Sequence, residues 1–417
     1  MDKPFAITLD PGSSRANHTG AWRTERPVYV SLLPPCNNAC PAGENVQQWL
    51  YHAEEGDSAS PGGRPPNAPG KMPGGRPPVP PGETGFDAAF VAVGAHIGKR
   101  AYIPAGDSAR IMDAVSLLHS VEDGTQPMLG RRVAVHGGGN TAMDAARTAR
   151  RLGASEAVVV YRRTRDRMPA HDIEVEEALE EGVTMRWLST VAHADEGKLV
   201  IEKTRLDDTG FPQPTGEFEE LSADCLVLAL GQDTDLAVLD GVPGVTFNHG
   251  TVDVGADLMT GHQGIFAGGD MVPAERTVTV AIGHGKKAAR AIDAWLRGTG
   301  LGRQFRHELA SYDGLNTWYY ADAPAAVRPT LEAARRIGTF DEVTGGLNAS
   351  TALFEARRCM SCGNCFDCDN CYGSCPDNAV IKLSSGGHQI DYDYCKGCGI
   401  CAAECPCGAI SMVPEET

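Results

Sequence analysis

The sequence predicts an α/β protein with a doubly wound parallel sheet, joined to a small α+β module. Three observations lead to this prediction. Apolar segments of strand length alternate with helix-like segments from about residue 85 to residue 300, which is the pattern of a parallel sheet. A glycine-rich turn joins one of these strands to a helix in VAVHGGGNTAMDAARTARRLG. Eleven of the 14 cysteines lie between Cys359 and Cys407, so the last part of the sequence is predicted to be a separate module.

The composition excludes several classes of protein. The chain has 417 residues, of which 42% are hydrophobic, and this excludes a wholly disordered or fibrous protein. Its 37 basic and 54 acidic residues give a net charge of −17, which argues against a nucleic-acid-binding surface. No apolar run reaches the roughly 18 residues that a membrane helix needs, and the start MDKPFAITLDPG lacks the features of a secretion signal. We therefore expect a cytoplasmic protein that neither inserts into a membrane nor binds nucleic acid.

The first part of the chain divides into two segments. Residues 1–57 contain Cys36 and Cys40 and are expected to be helical. Residues 58–84 hold nine prolines and six glycines. Because proline removes backbone donors and glycine adds backbone entropy, this second stretch is predicted to be a disordered linker.

Strands and helices alternate after the linker. GFDAAFVAVGA is predicted as a short buried strand, RRVAVHGGGNTAMDAARTARRLGA as strand, turn and helix, and SEAVVVYRR as another strand. Further strands are predicted in ADCLVLALG, GTVDVGADL and HQGIFAGGD, and TVTVAIGHGKKAARAIDAWL leads into a helix. The alanine-rich face of the helix after the glycine turn is suited to lying on the sheet. The acidic run HDIEVEEALEEG is predicted to be a solvated helix face.

The glycine turn has the spacing of a dinucleotide-binding loop. Gly137 allows the tight turn, Gly139 lets the backbone approach a pyrophosphate, and the small Ala142 lets helix and strand pack closely. The helix behind the turn offers unpaired amides and the positive end of its dipole. The next strand ends in Arg162 and Arg163, where an NAD enzyme has an acidic residue. Because guanidinium groups suit a 2′-phosphate, the predicted cofactor is NADPH.

The cysteines of the module form two copies of the pattern CxxCxxCxxxCP. In the bacterial two-cluster arrangement, three cysteines of one copy bind a cubane and the fourth binds the other cluster. The sequence therefore predicts two [4Fe–4S] clusters. The first is held by Cys365, Cys368, Cys371 and Cys405, and the second by Cys395, Cys398, Cys401 and Cys375.

The other cysteines have less specific patterns. Cys359 and Cys362 continue the three-residue spacing upstream. They are either alternative ligands, part of a further site, or spare thiols on a helix, and the sequence leaves these interpretations open. Cys407 is not expected to bind iron. Cys225 lies inside an apolar strand and is predicted to be a small core residue.

Taken together, these motifs resemble the small (beta) subunit of NADPH-dependent glutamate synthase and its relatives, in the form with a C-terminal two-cluster ferredoxin module. The resemblance runs through PPCNNACPAGENVQQWL, GFDAAFVAVGAHIGKR, the glycine turn with VVVYRRTRDRMPA, ADCLVLALGQDTD, GIFAGGD with TVTVAIGHGKKAA, and the cysteine module. It implies that NADPH gives electrons to FAD and that iron–sulfur clusters carry them to or from a partner protein or large subunit.

The resemblance also implies individual cofactor residues. The segment GGD corresponds to the family's second FAD motif, and the segment from Thr277 begins a helix whose amides point at the flavin ring. Hydride transfer to a flavin needs no acid or base from the protein, so no catalytic residue is predicted. The residues implied for NADPH are Gly137, Gly139, Asn140, Thr141, Ala142, Arg162 and Arg163. Those implied for FAD are Gly268, Gly269, Asp270 and Thr277.

Two features of the family are missing at the same place. Its first GxGxxG loop, which holds the FAD pyrophosphate, precedes the strand GFDAAFVAVG, and this chain has only the Pro/Gly linker there. A βαβ unit needs roughly 30 residues of strand and helix sequence, which the linker does not offer. The N-terminal clusters of the family need more cysteines than Cys36 and Cys40, which cannot close a four-cysteine site alone. FAD binding is therefore left open.

A domain organisation and a function follow from these motifs. The predicted domains are a cysteine-containing segment (1–57), a linker (58–84), an incomplete FAD-binding half (85–120 and 222–300) with an inserted NADPH-binding Rossmann domain (121–221), a connector (301–345) and a two-cluster ferredoxin-like domain (346–417). The predicted function is an NADPH-dependent oxidoreductase that passes electrons through flavin to the clusters and a partner. The alternative, favoured by the missing loop, is a non-catalytic electron-transfer or docking subunit without flavin.

Overall fold

A computed structural model of the chain describes residues 18–54, 86–99, 101–106, 109–300 and 307–415. The linker predicted for residues 58–84 lies outside the described residues. The backbone divides into two compact units. The first comprises residues 1–87, 278–327 and 347–417, and the second comprises residues 88–277 and 328–346. The domain boundaries predicted from the motifs stay a prediction.

Short strands and helices alternate along the described residues. The strands are β1 (Glu25–Tyr29), β2 (Ala89–Val91), β3 (Ile97–Gly98), β4 (Ile111–Asp113), β5 (Arg132–Gly137), β6 (Glu156–Val160), β7 (Val183–Arg186), β8 (Ser189–Asp195), β9 (Lys198–Leu206), β10 (Pro212–Ser222), β11 (Cys225–Ala229), β12 (Gln232–Asp233), β13 (Phe247–Asn248), β14 (Thr251–Val252), β15 (Ile265–Ala267), β16 (Val380–Lys382), β17 (His388–Ile390) and β18 (Ile410–Pro414). The α-helices are α1 (Pro35–Ala39), α2 (Val46–Glu54), α3 (Ala114–Glu122), α4 (Asn140–Arg151), α5 (Asp172–Glu180), α6 (Val278–Leu296), α7 (Ala333–Arg336), α8 (Ala349–Arg357), α9 (Asn370–Ser374) and α10 (Ile400–Ala403). None of the helices in the described ranges is long and apolar enough to cross a bilayer.

Five strands of the second unit form a parallel sheet in the order β4, β11, β5, β6, β7. Val135 of β5 is in register with Val227 of β11 on one side and with Val159 of β6 on the other. The chain passes outward from β5 to β6 and β7, and β11 then pairs on the opposite side of β5. The strand order therefore reverses between β5 and β11, and in such sheets ligands bind outside the carboxyl ends of the strands at the reversal. The predicted parallel α/β sheet is confirmed.

The two faces of this sheet are covered by different elements. Side chains such as Val133 and Val159 pack against α3, α4 and α5 on one face. The alternate set, which includes Ala134 and Val160, packs against the antiparallel strands β8, β9 and β10 on the other face. The apolar face predicted for α4 lies on the sheet, and its buried alanines are Ala142, Ala145, Ala146 and Ala149. Cys225 is only 2% exposed in the same core, so its prediction as a core residue is confirmed.

Two of the strand predictions need correction. The strand β2 is not buried, since Ala89 and Phe90 are exposed; among the described residues it pairs with β15 alone. In GTVDVGADL only the two residues of β14 form a strand, which pairs with β13. The extended conformation ends there because the Gly255 N–H donates to the Met259 carbonyl at 2.8 Å and closes a turn.

The prediction of a solvated face for the acidic run is also wrong in part, because its last glutamate is buried. The Glu181 side chain is fully buried and accepts hydrogen bonds from Arg147 at 2.7 Å and from Arg151 at 3.1 Å. Arg147 also pairs with Glu177 at 2.8 Å and with Glu174 at 3.1 Å. Buried charges need such partners, so these ion pairs hold the segment of α5 against α4. Sequence spacing alone does not reveal which carboxylate turns inward.

The first unit is built around the cysteine module. Each copy of the cysteine pattern forms a short helix followed by a strand, α9 with β16 and α10 with β18. The strand β16 pairs antiparallel with β17. The strand β18 pairs antiparallel with β1 of the N-terminal segment, with Tyr29 opposite Ile410. In the same unit, α2 packs against α8.

We expect Glu181→Ala to lower the free energy of unfolding by about 3–5 kcal/mol, because it leaves two buried guanidinium groups without their shared carboxylate. The matched control is Glu174→Ala, whose carboxylate is 32% exposed and whose loss leaves Arg147 its other partners. The control is expected to cost less than about 1 kcal/mol. Urea unfolding followed by circular dichroism gives both values. Equal losses in the two variants would contradict the buried network.

Candidate functional site

The predicted dinucleotide turn lies at the carboxyl end of β5, beside the point where the strand order reverses. A Cβ atom on Gly137 would overlap the carbonyl oxygen of Ala229 on the neighbouring strand, so glycine is required for this close approach. A Cβ on Gly138 would overlap the ring of Tyr161, a requirement that the sequence pattern did not reveal. Gly139 precedes the first residue of α4, and no atom lies within 4 Å of the position that its Cβ would occupy. The backbone is therefore open to a ligand at Gly139 and closed at the two glycines before it.

The first turn of α4 is held by two side-chain contacts. The Asn140 side-chain oxygen accepts a hydrogen bond from the His171 N–H at 2.9 Å. The Thr141 hydroxyl accepts one from Gln232 at 3.2 Å. The backbone N–H groups of Asn140 and Thr141 begin the helix and have no acceptor within it. They remain available to a negative group, which the helix dipole also favours there.

Two arginines follow β6 and are held by their backbone. The Arg162 carbonyl accepts a hydrogen bond from the Thr204 hydroxyl at 2.8 Å, and the Arg163 carbonyl accepts one from the Leu188 N–H at 3.2 Å. Neither guanidinium forms an ion pair with any residue that the structure describes, and the buried Nε of Arg163 has no hydrogen-bond partner. Arg165, by contrast, pairs with Glu176 at 3.3 Å. Arg162 and Arg163 therefore leave positive charge free for a ligand such as a phosphate.

A buried histidine lies directly before the glycine turn. Burial, together with the charge of Arg162, lowers the pKa of His136 to about 4. Its Nε2 atom is 3.3 Å from the Thr190 hydroxyl, and its Nδ1 atom is buried without a partner. The imidazole is therefore neutral near pH 7.

The residues of the second predicted FAD motif follow β15. The Gly268 N–H donates to the Val91 carbonyl at 3.1 Å, which joins this turn to β2. Gly269 has a φ of 71°, and no atom lies within 4 Å of the place where a Cβ would stand. The Asp270 carboxylate is half-buried and forms no ion pair within the described part of the chain. The turn thus has space at Gly269 and an acceptor at Asp270, which suits the hydroxyl and phosphate groups of a cofactor. Thr277 directly precedes α6, whose first residue is Val278.

The eight predicted cluster ligands fall into two neighbourhoods. Burial raises the pKa of the Cys368 thiol, and the charge of nearby Cys405 raises it further. Burial also raises the pKa of the Cys371 thiol, and the charges of Cys368 and Cys405 raise it further. Burial raises the pKa of Cys365 to about 11, with a smaller contribution from Cys371. These four thiols, the set predicted for the first cluster, are therefore close enough to interact electrostatically.

The set predicted for the second cluster surrounds a cavity. Cys375, Cys395, Cys398 and Cys401 all line it. The pKa of Cys401 is raised to about 12. Burial is the largest cause, and the charges of Cys395 and Cys375 raise it further. Pro27 of β1 closes one side of the cavity, a contribution of the N-terminal segment that the cysteine spacing does not indicate.

Several groups outside the pattern donate hydrogen bonds to the sulfur atoms. The Ala379 N–H donates to the Cys375 sulfur at 3.2 Å, and the Ala409 N–H donates to the Cys405 sulfur at 3.3 Å. Both donors stand four residues after the last cysteine of their copy. The Tyr29 hydroxyl lies 3.3 Å from the Cys371 sulfur. Such donors stabilise negative charge on thiolates and on the clusters they hold.

The residues present fit iron–sulfur clusters and a dinucleotide. Soft thiolates in groups of four are the ligands that [4Fe–4S] clusters take, and the open backbone at Gly139 with the unpaired arginines fits a phosphorylated dinucleotide. Cys407 is buried with its sulfur 3.7 Å from that of Cys405. That it does not bind iron stays a prediction.

Two families match parts of the chain. Residues 81–285 match the pyridine nucleotide-disulphide oxidoreductase family. Residues 388–411 match the 4Fe-4S binding domain family. The second match includes the copy of the cysteine pattern from Cys395 to Cys405. These two parts of the chain are thus similar to an oxidoreductase domain and to a 4Fe–4S binding domain.

The curated relatives are subunits of oxidoreductases. The chain is 36% identical over 301 residues to the NADP(+)-dependent formate dehydrogenase subunit beta of Moorella thermoacetica, covering 66% of this chain and 42% of the relative. It is 32% identical over 328 residues to the NADPH-Fe(3+) oxidoreductase subunit beta of Geobacter sulfurreducens, covering 66% and 48%. It is 37% identical over 232 residues to a putative glutamate synthase (NADPH) small chain of Cereibacter sphaeroides, covering 49% and 55%. The chain therefore spans about half the length of these relatives.

The lowered pKa of His136 predicts a pH dependence of stability. Because the folded state disfavours the protonated imidazole, the contribution of this group is complete above its unfolded pKa of about 6.5 and is lost progressively down to about pH 4. Between pH 7 and pH 5 the loss is expected to be about 2 kcal/mol, and His136→Gln is expected to remove it. Urea unfolding of both proteins at the two pH values measures the difference. An identical pH dependence in parent and variant would contradict a neutral buried imidazole.

Proposed function

We propose that the chain takes electrons from NADPH and passes them through flavin and iron–sulfur clusters to a partner protein. The similarity of residues 81–285 to the pyridine nucleotide-disulphide oxidoreductase family, and of the chain to a putative glutamate synthase (NADPH) small chain, supports this proposal. The observation that carries the proposal is the presence, in one chain, of an open glycine turn with two unpaired arginines and of two groups of four cysteines. The first arrangement suits a phosphorylated dinucleotide and the second suits one-electron carriers.

In this proposal the NADPH pyrophosphate lies at the N-terminus of α4. Gly137 and Ala142 keep β5, β11 and α4 close together, and Gly139 leaves the backbone accessible. The N–H groups of Asn140 and Thr141 donate to the phosphate oxygens. Arg162 and Arg163 bind the 2′-phosphate, because it would meet two guanidinium groups that have no carboxylate partner.

The flavin would be held by Gly268, Gly269, Asp270 and the segment from Thr277. Space at Gly269 lets backbone approach the cofactor, and the Asp270 carboxylate accepts hydrogen bonds from its hydroxyl groups. The N-terminus of α6 offers the positive end of the helix dipole to negative charge. When bound, the flavin accepts the hydride of NADPH and releases its electrons one at a time. The first FAD glycine loop of the family is the part that the sequence lacks.

Two [4Fe–4S] clusters complete the proposed carrier chain. Cys365, Cys368, Cys371 and Cys405 would hold one, and Cys375, Cys395, Cys398 and Cys401 the other. The protein keeps water away from these sulfurs by burying Cys371, Cys395, Cys401 and Cys405, and it donates hydrogen bonds from Ala379, Ala409 and Tyr29. Burial and such donors are the means by which a protein sets a cluster's reduction potential.

The acceptor or donor beyond the clusters is proposed to be a partner protein. The relatives from Moorella thermoacetica and Geobacter sulfurreducens are named as beta subunits, so they belong to larger assemblies. The domain boundaries that the motifs predict, with residues 121–221 for NADPH and residues 346–417 for the clusters, are part of the same proposal.

The proposed function is tested on the full chain purified without oxygen. We expect bound flavin, iron and acid-labile sulfide, together with NADPH-dependent reduction of a dye acceptor. Iron without flavin and without dye reduction would overturn the oxidoreductase proposal and favour a relay or docking subunit. Dye reduction that is equally fast with NADH would overturn the part of the proposal that concerns the 2′-phosphate.

The double variant Arg162→Ala, Arg163→Ala tests the 2′-phosphate site. We expect the dissociation constant for NADPH to rise roughly 10- to 100-fold and that for NADH to change less than about threefold, since only NADPH carries the phosphate. Calorimetric titration of the two nucleotides measures this. Arg205→Ala, which removes an exposed arginine of β9, is the control and should leave both constants unchanged. A parallel loss of affinity for both nucleotides would assign the arginines to the fold or to the pyrophosphate instead.

A further inference from the structure

Eight of the cysteines belong to the two predicted cluster sets, Cys225 is a core residue, and Cys407 is not expected to bind iron. Four further cysteines remain. Cys36 and Cys40 lie near the beginning of the chain, and Cys359 and Cys362 lie more than 300 residues later. The structure nevertheless brings these two segments together within the first unit. The Leu32 N–H donates to the Gly363 carbonyl at 3.0 Å.

The contact between the two segments is close and specific. Gly363 has a φ of 74°, and a Cβ there would overlap the side chain of Leu32, so glycine is required. The Asn364 side chain donates to the Leu32 carbonyl at 3.1 Å and accepts from the Ser31 hydroxyl at 3.0 Å. It also lies 3.1 Å from the side-chain oxygen of Gln47 in α2. One asparagine therefore ties the loop after Cys362 to both sides of α1.

Two further contacts hold the helices that carry the cysteines. The Gln47 N–H donates to the side chain of Asn37 in α1 at 3.2 Å. The helix α2 packs against α8, and Glu54 and Arg357 stand 3.9 Å apart at one end of this contact. The helix that precedes Cys359 thus packs against the N-terminal segment.

These contacts bring together the two segments that carry the four cysteines. Cys36 lies in α1, and Cys40 directly follows the last residue of this helix. Cys359 and Cys362 follow α8 directly. Burial raises the pKa of the Cys362 thiol, and the charges of Cys359 and Cys36 raise it further. Thiols from both segments are therefore within electrostatic reach of one another.

We propose that Cys36, Cys40, Cys359 and Cys362 ligate a third [4Fe–4S] cluster, at a site composed of the N-terminal segment and the segment between α8 and the cysteine module. Each thiol releases its proton when it binds iron. The spacing favours an iron–sulfur cluster over zinc. Four thiolates around one zinc stand about 3.8 Å apart, given bonds of about 2.3 Å. Among the described residues, no three of these sulfurs lie within 4.8 Å of one another.

The position of this site gives it a role in electron transfer, and that role, unlike the site itself, rests on the proposed function. On one side, the Gly363 N–H donates to the carbonyl of Cys407 at 2.7 Å, two residues after Cys405 of the first predicted cluster. On the other side, the segment that follows Cys40 lies on α6. A Cβ at Gly283 would overlap the Pro41 carbonyl, and Lys286 donates to the Gly43 carbonyl at 2.7 Å.

The third cluster would therefore lie between α6 and the first ferredoxin-type cluster. It would accept one electron from the donor side and pass the same electron to the next cluster, with no bond formed or broken. Tyr320 lies near cysteines of both the proposed third site and the first predicted cluster. Its hydroxyl donates to the Met360 carbonyl at 3.0 Å, and burial, then the charges of Cys407 and Cys362, raise its pKa.

Iron content tests the site without any need for NADPH or flavin. The full chain, purified without oxygen and reconstituted with iron and sulfide, is expected to hold about 12 irons, whereas Cys36→Ser and Cys362→Ser should each hold about eight. Cys225→Ala is the control and should keep the parent's content. A parent with about eight irons, unchanged iron in both variants, or one zinc per chain that both variants lose would overturn the proposal.

The parent protein alone gives a second measurement if a variant does not fold. After reduction with dithionite, integration of the electron paramagnetic resonance signal should give about three spins per chain for three clusters. About two spins in fully reduced protein would overturn the proposal. Because dithionite replaces NADPH here, a failure of the proposed oxidoreductase function leaves both readouts unaffected.

Discussion

The antiparallel pairing of β1 with β18 brings the N-terminal segment onto the cysteine module, and the arrangement of the first unit depends on it. This pairing places Tyr29 beside the Cys371 sulfur and Pro27 on the cavity of the second cysteine set. Arg23 extends the contact, because it donates to the Tyr392 carbonyl at 2.7 Å and to the Cys395 carbonyl at 3.0 Å. It also pairs with Glu415 at 2.8 Å. Clustered thiolates repel one another, so a segment that supplies donors, a cation and an apolar wall is a physical requirement of the module.

The second unit has a different role in the proposed function, because its glycine turn offers space and positive charge for a phosphate group. The backbone is open only at Gly139, because Ala229 and Tyr161 fill the space beside Gly137 and Gly138. Within the part of the chain that the structure describes, Arg162 and Arg163 form no ion pair that would compete with a ligand. The low pKa of His136 follows from its burial and from the charge of Arg162, so the positive charge at the turn resides on groups that a ligand can reach. Arg162 is exposed and Arg163 is half-buried, and their carbonyl groups accept hydrogen bonds from the Thr204 hydroxyl and the Leu188 N–H.

Sequence patterns predicted those parts of the molecule that are formed by residues close together in the sequence. The turn between β5 and α4 follows from glycine spacing, and the two cysteine sets follow from a repeated motif whose fourth cysteine crosses over. Contacts between distant segments were not predictable in this way. The pairing of β1 with β18, the burial of Glu181 and the need for a glycine opposite the Tyr161 ring all depend on which residues meet in space. The length of strand β14 was overestimated, because a composition typical of strands does not reveal the turn at Gly255. The interpretation of Cys36 and Cys40 as an incomplete site changed for the same reason, since their neighbours in space lie near the other end of the sequence.

In the proposed function, electrons from NADPH reach the iron–sulfur clusters within this chain. An anaerobic titration of the purified protein with NADPH, followed by electron paramagnetic resonance and by the bleaching of cluster absorbance, measures this transfer. We expect NADPH to reduce the clusters to a substantial fraction of the level that dithionite reaches. Clusters that dithionite reduces but that stay oxidised with excess NADPH would contradict the proposed electron path.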